Sequence, residues 1–226
     1  MAMRLVRQPL ADAWGPLPPH AEPVTAPRKG ALHGKGVPCF LERILFVIAF
    51  VCLGYYGYVQ AETFLYQRIE NRELDAVLAS RSADVVNVPG RRPYPAAGST
   101  LGRITIDRLG VSAIVRAGSD ARTLSLAVGH VPGTALPGAA GNVGLAGHRD
   151  TFFRRLRDIQ SGDVITMATP EGVFRYLVER TLIVEPEDVW VLDPTAQPSL
   201  TLVTCYPFTF LGSAPQRFIV RATMVE

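Results

Sequence analysis

Ile44 to Val59 reads ILFVIAFVCLGYYGYV, sixteen residues without a single charge, and no other stretch limits the chain as much. Such a segment hides its surface either inside a protein core or in lipid. At 1.5 Å per residue a helix over it falls slightly short of a hydrocarbon core of roughly 30 Å. Leu41, a snorkelling Arg43 and the tyrosines of the run extend that reach. A core helix is expected to show polar periodicity, and this run has none. A cleavable signal peptide fits worse, because 43 residues precede the run and no small-x-small site directly follows it. The expectation is a transmembrane anchor over residues 44–60, in contact with a lipid bilayer.

Charge orients that anchor. Residues 1–43 hold six Lys/Arg against three acids, and the whole-chain totals of 23 and 20 leave 17 of each beyond them. The net charge of +3 therefore lies ahead of the apolar run, which by the positive-inside rule puts the N-terminus in the cytoplasm and everything past residue 60 outside a cell membrane crossed once. A neutral exported part lacks the basic face that nucleic acid requires, so that partner class is excluded. Cys39 and Cys52 belong to the anchor and its flank, which leaves Cys205 as the one exported cysteine, with no partner in the chain. Both lysines, Lys29 and Lys35, are in the tail. An amine acting on the exported part would then come from another molecule, although Arg-for-Lys usage across a genome explains the pattern equally well.

Composition divides the rest. Residues 1–43 are rich in Pro, Ala and Gly up to the anchor and read as a disordered cytoplasmic tail. Residues 61–100 read as a helical stalk with apolar Leu65, Ile69, Leu74 and Leu78, then a linker, since Asn87 to Thr100 contains three prolines and two glycines. The folded domain is expected over residues 101–226. Its signals are short strands: GRITIDRLGVSAIV with a turn at Leu109-Gly110, GNVGLAGH ending at His148, a hairpin joined at Pro170-Glu171-Gly172, then SLTLVTC and QRFIVRATMV. Between them DTFFRRLRDI reads as a helix N-capped by Asp150 or Thr151. Strands outnumber helices at hairpin spacing, which points to a mainly β domain with short helices, a closed or nearly closed barrel.

Three polar residues stand at strand ends in this layout: His148 after one strand, Cys205 at the end of another, Arg217 at the start of the next. A thiol, an imidazole and a cation at one barrel rim are what nucleophilic acyl transfer needs. Each also has a structural reading: Cys205 as packing beside Val203, His148 as a loop histidine, Arg217 as a surface cation. Spacing alone leaves the two open.

The segments NVGLAGHRDTFFRRL, LTLVTCYPF and APQRFIVRA resemble the signature segments of sortases, membrane-anchored cysteine transpeptidases of bacterial envelopes, and the wording is nearest class D. GHVPGTALPGAAGN resembles the family's segment ahead of the histidine. The resemblance covers about Gly102 to Ala222 and implies an eight-stranded sortase barrel, with Cys205 as nucleophile, His148 as acid/base and Arg217 on the scissile carbonyl. It further implies cleavage of an LPXTG-like sorting signal through a Cys thioester, and transfer of the exported protein to an envelope amine. A cysteine peptidase on the same fold, or a tethered peptide-binding barrel without chemistry, are the alternatives. Thr204 and His130 are candidate substrate contacts, each with a structural alternative: a strand threonine and a buried histidine. No acidic cluster has calcium-ligand spacing, so neither metal nor cofactor is expected.

Overall fold

The computed structural model describes residues 39–81, 94–210 and 212–225. The disordered tail expected up to residue 43 lies outside them as far as residue 38, and the linker expected over Asn87 to Thr100 as far as residue 93. Two compact units divide the chain, Met1–Ile48 and Ala49–Glu226. Helix α1 runs Cys39–Arg81 and is long and apolar enough to cross a membrane. Its side chains from Ile44 to Val59 are all exposed.

The second half of α1 packs on the barrel, through a stripe that is only partly apolar. Leu65 and Ile69 are exposed, and the covered positions form two rows with steps of four: Glu62, Tyr66, Glu70, Leu74 and Leu78, and beside it Thr63, Gln67 and Asn71. Leu74, 4% exposed, packs with Ile114 and Ala127. Gln67 donates to Leu126 O at 2.7 Å and accepts from Ile114 N–H at 2.9 Å, so one side-chain amide takes up two backbone groups of the barrel surface.

Eight strands close into a barrel: β1 (Thr100–Ile106), β2 (Val111–Ala117), β3 (Val128–His130), β4 (Asn142–Ala146), β5 (Val164–Thr169), β6 (Gly172–Val184), β7 (Ser199–Tyr206) and β8 (Gln216–Met224). Their order around it is β1-β2-β3-β4-β7-β8-β6-β5, with β5 returning to β1. Closure leaves no unpaired edge. All pairings are antiparallel except β2 with β3 and β4 with β7. The expected hairpin is β5–β6, and the expected turn after Ile106 is a 3-10 turn at Asp107–Leu109, ended by Gly110 at φ 58°.

Two local expectations need correction, and one strand carries no sequence signal. The strand before His148 ends at Ala146, two residues earlier than the sequence suggests. Residues 128–130, all buried, form the short β3, which no pattern marks because two of its three residues are glycine and histidine. The helix expected after His148 is a tight turn and a 3-10 helix, Arg154–Asp158, with Phe153 at its N-cap and no side-chain cap. The cause is His148 O, which accepts from both Thr151 N–H at 3.4 Å and Phe153 N–H at 3.1 Å and so folds Phe153 back into the core.

Candidate active site

Alternation along β7 decides what Cys205 does in the fold. Leu200, Leu202 and Thr204 face the barrel interior, where Leu200 and Leu202 join the main core cluster. Val203 and Cys205 therefore point outward, each half-buried. Cys205 sits at the open end of the outer face, one residue before β7 stops at Tyr206. It forms no disulfide.

Register brings the other two groups to it. In the antiparallel β7–β8 pair Cys205 stands directly opposite Arg217, so their Cβ atoms are held roughly 4.5–5.5 Å apart on the same face. On the other side, the parallel β4–β7 pair matches Ala146 with Val203. Two residues further along each strand are His148 and Cys205. The ladder is carried past the end of β4 by Gly147 N–H, which donates to Val203 O at 3.1 Å, and by Thr204 Oγ1, which donates to Gly147 O at 2.7 Å. Gly147 is required there: a Cβ would lie 2.7 Å from the ring of Phe153, itself fully buried. His148, Cys205 and Arg217 thus form a row across three neighbouring strand ends with the thiol in the middle. All three line one cleft of about 240 Å³, together with Arg149, Asp150 and Gly212 to Ala214.

The cleft carries two guanidiniums, Arg149 and Arg217, against one carboxylate, Asp150. That balance favours negative charge developing on a substrate oxygen. Arg217 is fixed by its own loop, Nη1 donating to Ala214 O at 3.1 Å and Gln216 O at 3.0 Å. His148 is exposed at the cleft wall, open to an incoming group.

Arg149 is the residue that sequence reasoning passed over. Although Arg is usually at the surface, this one is 6% exposed. Nη1 donates to Pro207 O at 2.8 Å, and Nη2 donates to Phe210 O at 2.5 Å and Gly212 O at 3.1 Å. One guanidinium, directly after His148 in the chain, therefore holds the loop that joins the strand of Cys205 to the strand of Arg217. The available signal was a cation placed directly after the candidate His148 in GHRD. Asp150, free of the capping role expected for it, has its side chain 74% exposed, with Arg149 Nε at 3.5 Å.

Thr204 and His130 lie elsewhere. Thr204 is buried and faces inward, bonded to Gly147 O as described. His130 is wholly buried and does not line the cleft. Its Nε2 lies 2.8 Å from Ala135 O, a carbonyl that only accepts, so Nε2 carries the proton. Nδ1 then accepts from Tyr94 O–H at 2.9 Å. Burial pushes the His130 pKa below the usual 6.5. The ring joins Tyr94 to the β3–β4 loop as a neutral structural group.

Comparison with known proteins follows the same outline. The sortase domain family matches residues 104–225. Sortase D of Bacillus subtilis is 30% identical over 194 residues, covering 82% of this chain and 96% of that protein. Sortase SrtE1 of Streptomyces coelicolor is 40% identical over 107 residues, 41% of this chain and 29% of its own length. Among solved structures, a Sortase D5 transpeptidase of Clostridium perfringens superposes with a TM-score of 0.58 at 24% identity, over 74% of this chain and 99% of that one, a likeness of fold. The SrtA sortase of Actinomyces oris has a TM-score of 0.54 at 28% identity, over 63% and 87%. The likeness to class D read from the motifs agrees with the match to Sortase D of Bacillus subtilis.

Proposed function

We propose, from the premise that the chain belongs to the sortase family, that it is a membrane-anchored cysteine transpeptidase acting on exported proteins with a C-terminal LPXTG-like signal. Cys205 attacks the Thr carbonyl, Arg217 donates charge-assisted hydrogen bonds to the developing oxyanion, and a thioester forms as the C–N bond breaks. His148 gives its proton to the leaving amine and then takes one from the amine that resolves the thioester. Residues 1–43 form a cytoplasmic tail, 44–60 the anchor, 61–100 the stalk and linker, and 101–226 the catalytic domain outside the membrane. The acceptor is an envelope amine, and no metal or cofactor takes part.

The observation that supports this most is the row of His148, Cys205 and Arg217 on one outer face, with Cys205 and Arg217 in direct register. The test is product analysis on an LPXTG-type peptide with and without added amine, alongside Cys205→Ala. The expected result is an amide product only when amine is present and Cys205 is intact. Hydrolysis alone at every amine concentration points to a peptidase on this fold. Undiminished anchoring of client proteins by Cys205→Ala refutes both enzyme readings.

A further inference from the structure

Beside the cleft lies a second, larger concavity, a groove of about 810 Å³ whose walls include Phe64 and Gln67 of α1, Ser112 of β2, and Phe152 and Arg154 of the turn after His148. Among the described residues, Asp150 alone lines both spaces, the groove and the cleft that holds Cys205. Two observations give this junction chemical meaning. The carboxylate there caps nothing and is 74% exposed, with Arg149 Nε on one side at 3.5 Å, and it stands two residues from His148. The groove is mixed in character: aromatic faces for a carrier's bulk, Gln67 and Ser112 for its hydrogen bonds, and the guanidiniums of Arg154 and Arg155 on the wall formed after His148.

The acceptor half-reaction needs such a place. An amine reaches the enzyme as an ammonium ion; it gives one proton through His148 to solvent before it attacks, the N–C bond forms as the C–S bond breaks, and the second proton leaving the nitrogen passes through His148 to the released thiolate. A carboxylate next to His148 attracts the ammonium and delivers it to the base that deprotonates it. We infer that the groove is the acceptor-binding site, taking a primary amine on a peptide-sized carrier, with Asp150 receiving the ammonium at the junction. This rests on the transpeptidase reading and adds to it the route and the charge selectivity of the second substrate.

The experiment uses the full chain in detergent with an LPXTG-type peptide and two acceptors, hydroxylamine as a small amine and trialanine as a peptide amine. The quantity read is the ratio of amide to hydrolysis product. Asp150→Asn is expected to lower that ratio for trialanine about tenfold, through a higher KM for the amine; Ser112→Trp, which fills the groove away from the cleft, is expected to lower it for trialanine and leave hydroxylamine within twofold. If both variants partition trialanine as the wild type does while a Cys205 thioester is trapped normally, the groove assignment is overturned and the transpeptidase reading survives. If no thioester forms in the wild type, that reading fails and takes this one with it.

Discussion

Replacing Arg149 by Met keeps most of the apolar stem and removes every donor. Three hydrogen bonds from a charged group are lost, those to Pro207 O, Phe210 O and Gly212 O. At about 1.5–3 kcal/mol for a hydrogen bond involving a charged partner, the simple sum exceeds 4 kcal/mol. The full sum will not be seen in global stability, because Thr209, Phe210, Gly212 and Ser213 are exposed and water can satisfy the freed carbonyls once the loop lifts. We therefore expect about 2–4 kcal/mol of global destabilisation and a larger effect on the loop itself. That loop ends in Ala214, whose carbonyl fixes Arg217. Arg217 is the oxyanion donor of the proposed mechanism; loosening it costs part of the roughly 10²–10³-fold that deleting such a donor costs, so the rate should fall about 10- to 100-fold. Arg149→Lys keeps the charge but not the fork, and should fall between. Amide exchange across residues 207–214, thermal unfolding and turnover of an LPXTG-type peptide are the measurements. Unchanged exchange in that loop with turnover within twofold of wild type would refute the reasoning.

Two further outcomes follow from the packing around the site. Gly147→Ala puts a methyl 2.7 Å from the Phe153 ring, an overpacking worth about 1–3 kcal/mol; a lowered Tm with turnover reduced through displaced His148 is expected, and an unchanged Tm would show that the close approach is not required. His130, held neutral with its pKa below 6.5, binds protons more weakly folded than unfolded, so its contribution is complete above about pH 6.5 and is lost as pH falls from there. Stability measured between pH 7 and 5 should therefore fall more steeply in the wild type than in His130→Gln, and parallel slopes would count against the assignment.

What could be read from the chain, and what could not, divides along physical lines. Alternation marks β1, where Ile104 and Ile106 are core and Arg103 and Thr105 are not, whereas β7 opens with four buried residues and shows a less buried outer face only from Val203 and Cys205 onward. β3 escapes notice because all three of its residues are buried and it pairs in parallel with β2, which leaves no period to detect. The packed stripe of α1 escapes for the opposite reason: Gln67, Glu70 and Asn71 are covered through hydrogen bonds, so counting apolar residues selects Leu65 and Ile69, which are exposed. Cys205, His148 and Arg217 were visible as strand-end residues, yet their meeting depends on β7 lying between β4 and β8, a crossover that no local pattern encodes. Arg149 was invisible as a buried group because its partners are backbone carbonyls, which carry no residue identity.

The same three strands meet a second time, lower in the barrel wall, and that meeting explains how the row at the top keeps its alignment. Thr201 Oγ1 donates to Asn142 Oδ1 of β4 at 2.7 Å and accepts from Arg221 Nη1 of β8 at 2.8 Å. Asn142 and Arg221 both also donate to Val191 O, in the β6–β7 connection that covers this face. A one-residue slip of β7 would turn Cys205 into the core and Thr204 out, at the cost of burying a misplaced set of side chains on both faces. A two-residue slip preserves the faces and would be opposed by packing shape alone in an all-apolar wall. Here it also breaks the bonds of a buried threonine to both neighbours, leaving polar groups unpaired where water does not reach. Asn142, Thr201 and Arg221 lie across β4, β7 and β8 in the same order as His148, Cys205 and Arg217, so a polar lock four positions below Cys205 and Arg217 and six below His148 sets the register that the proposed chemistry requires.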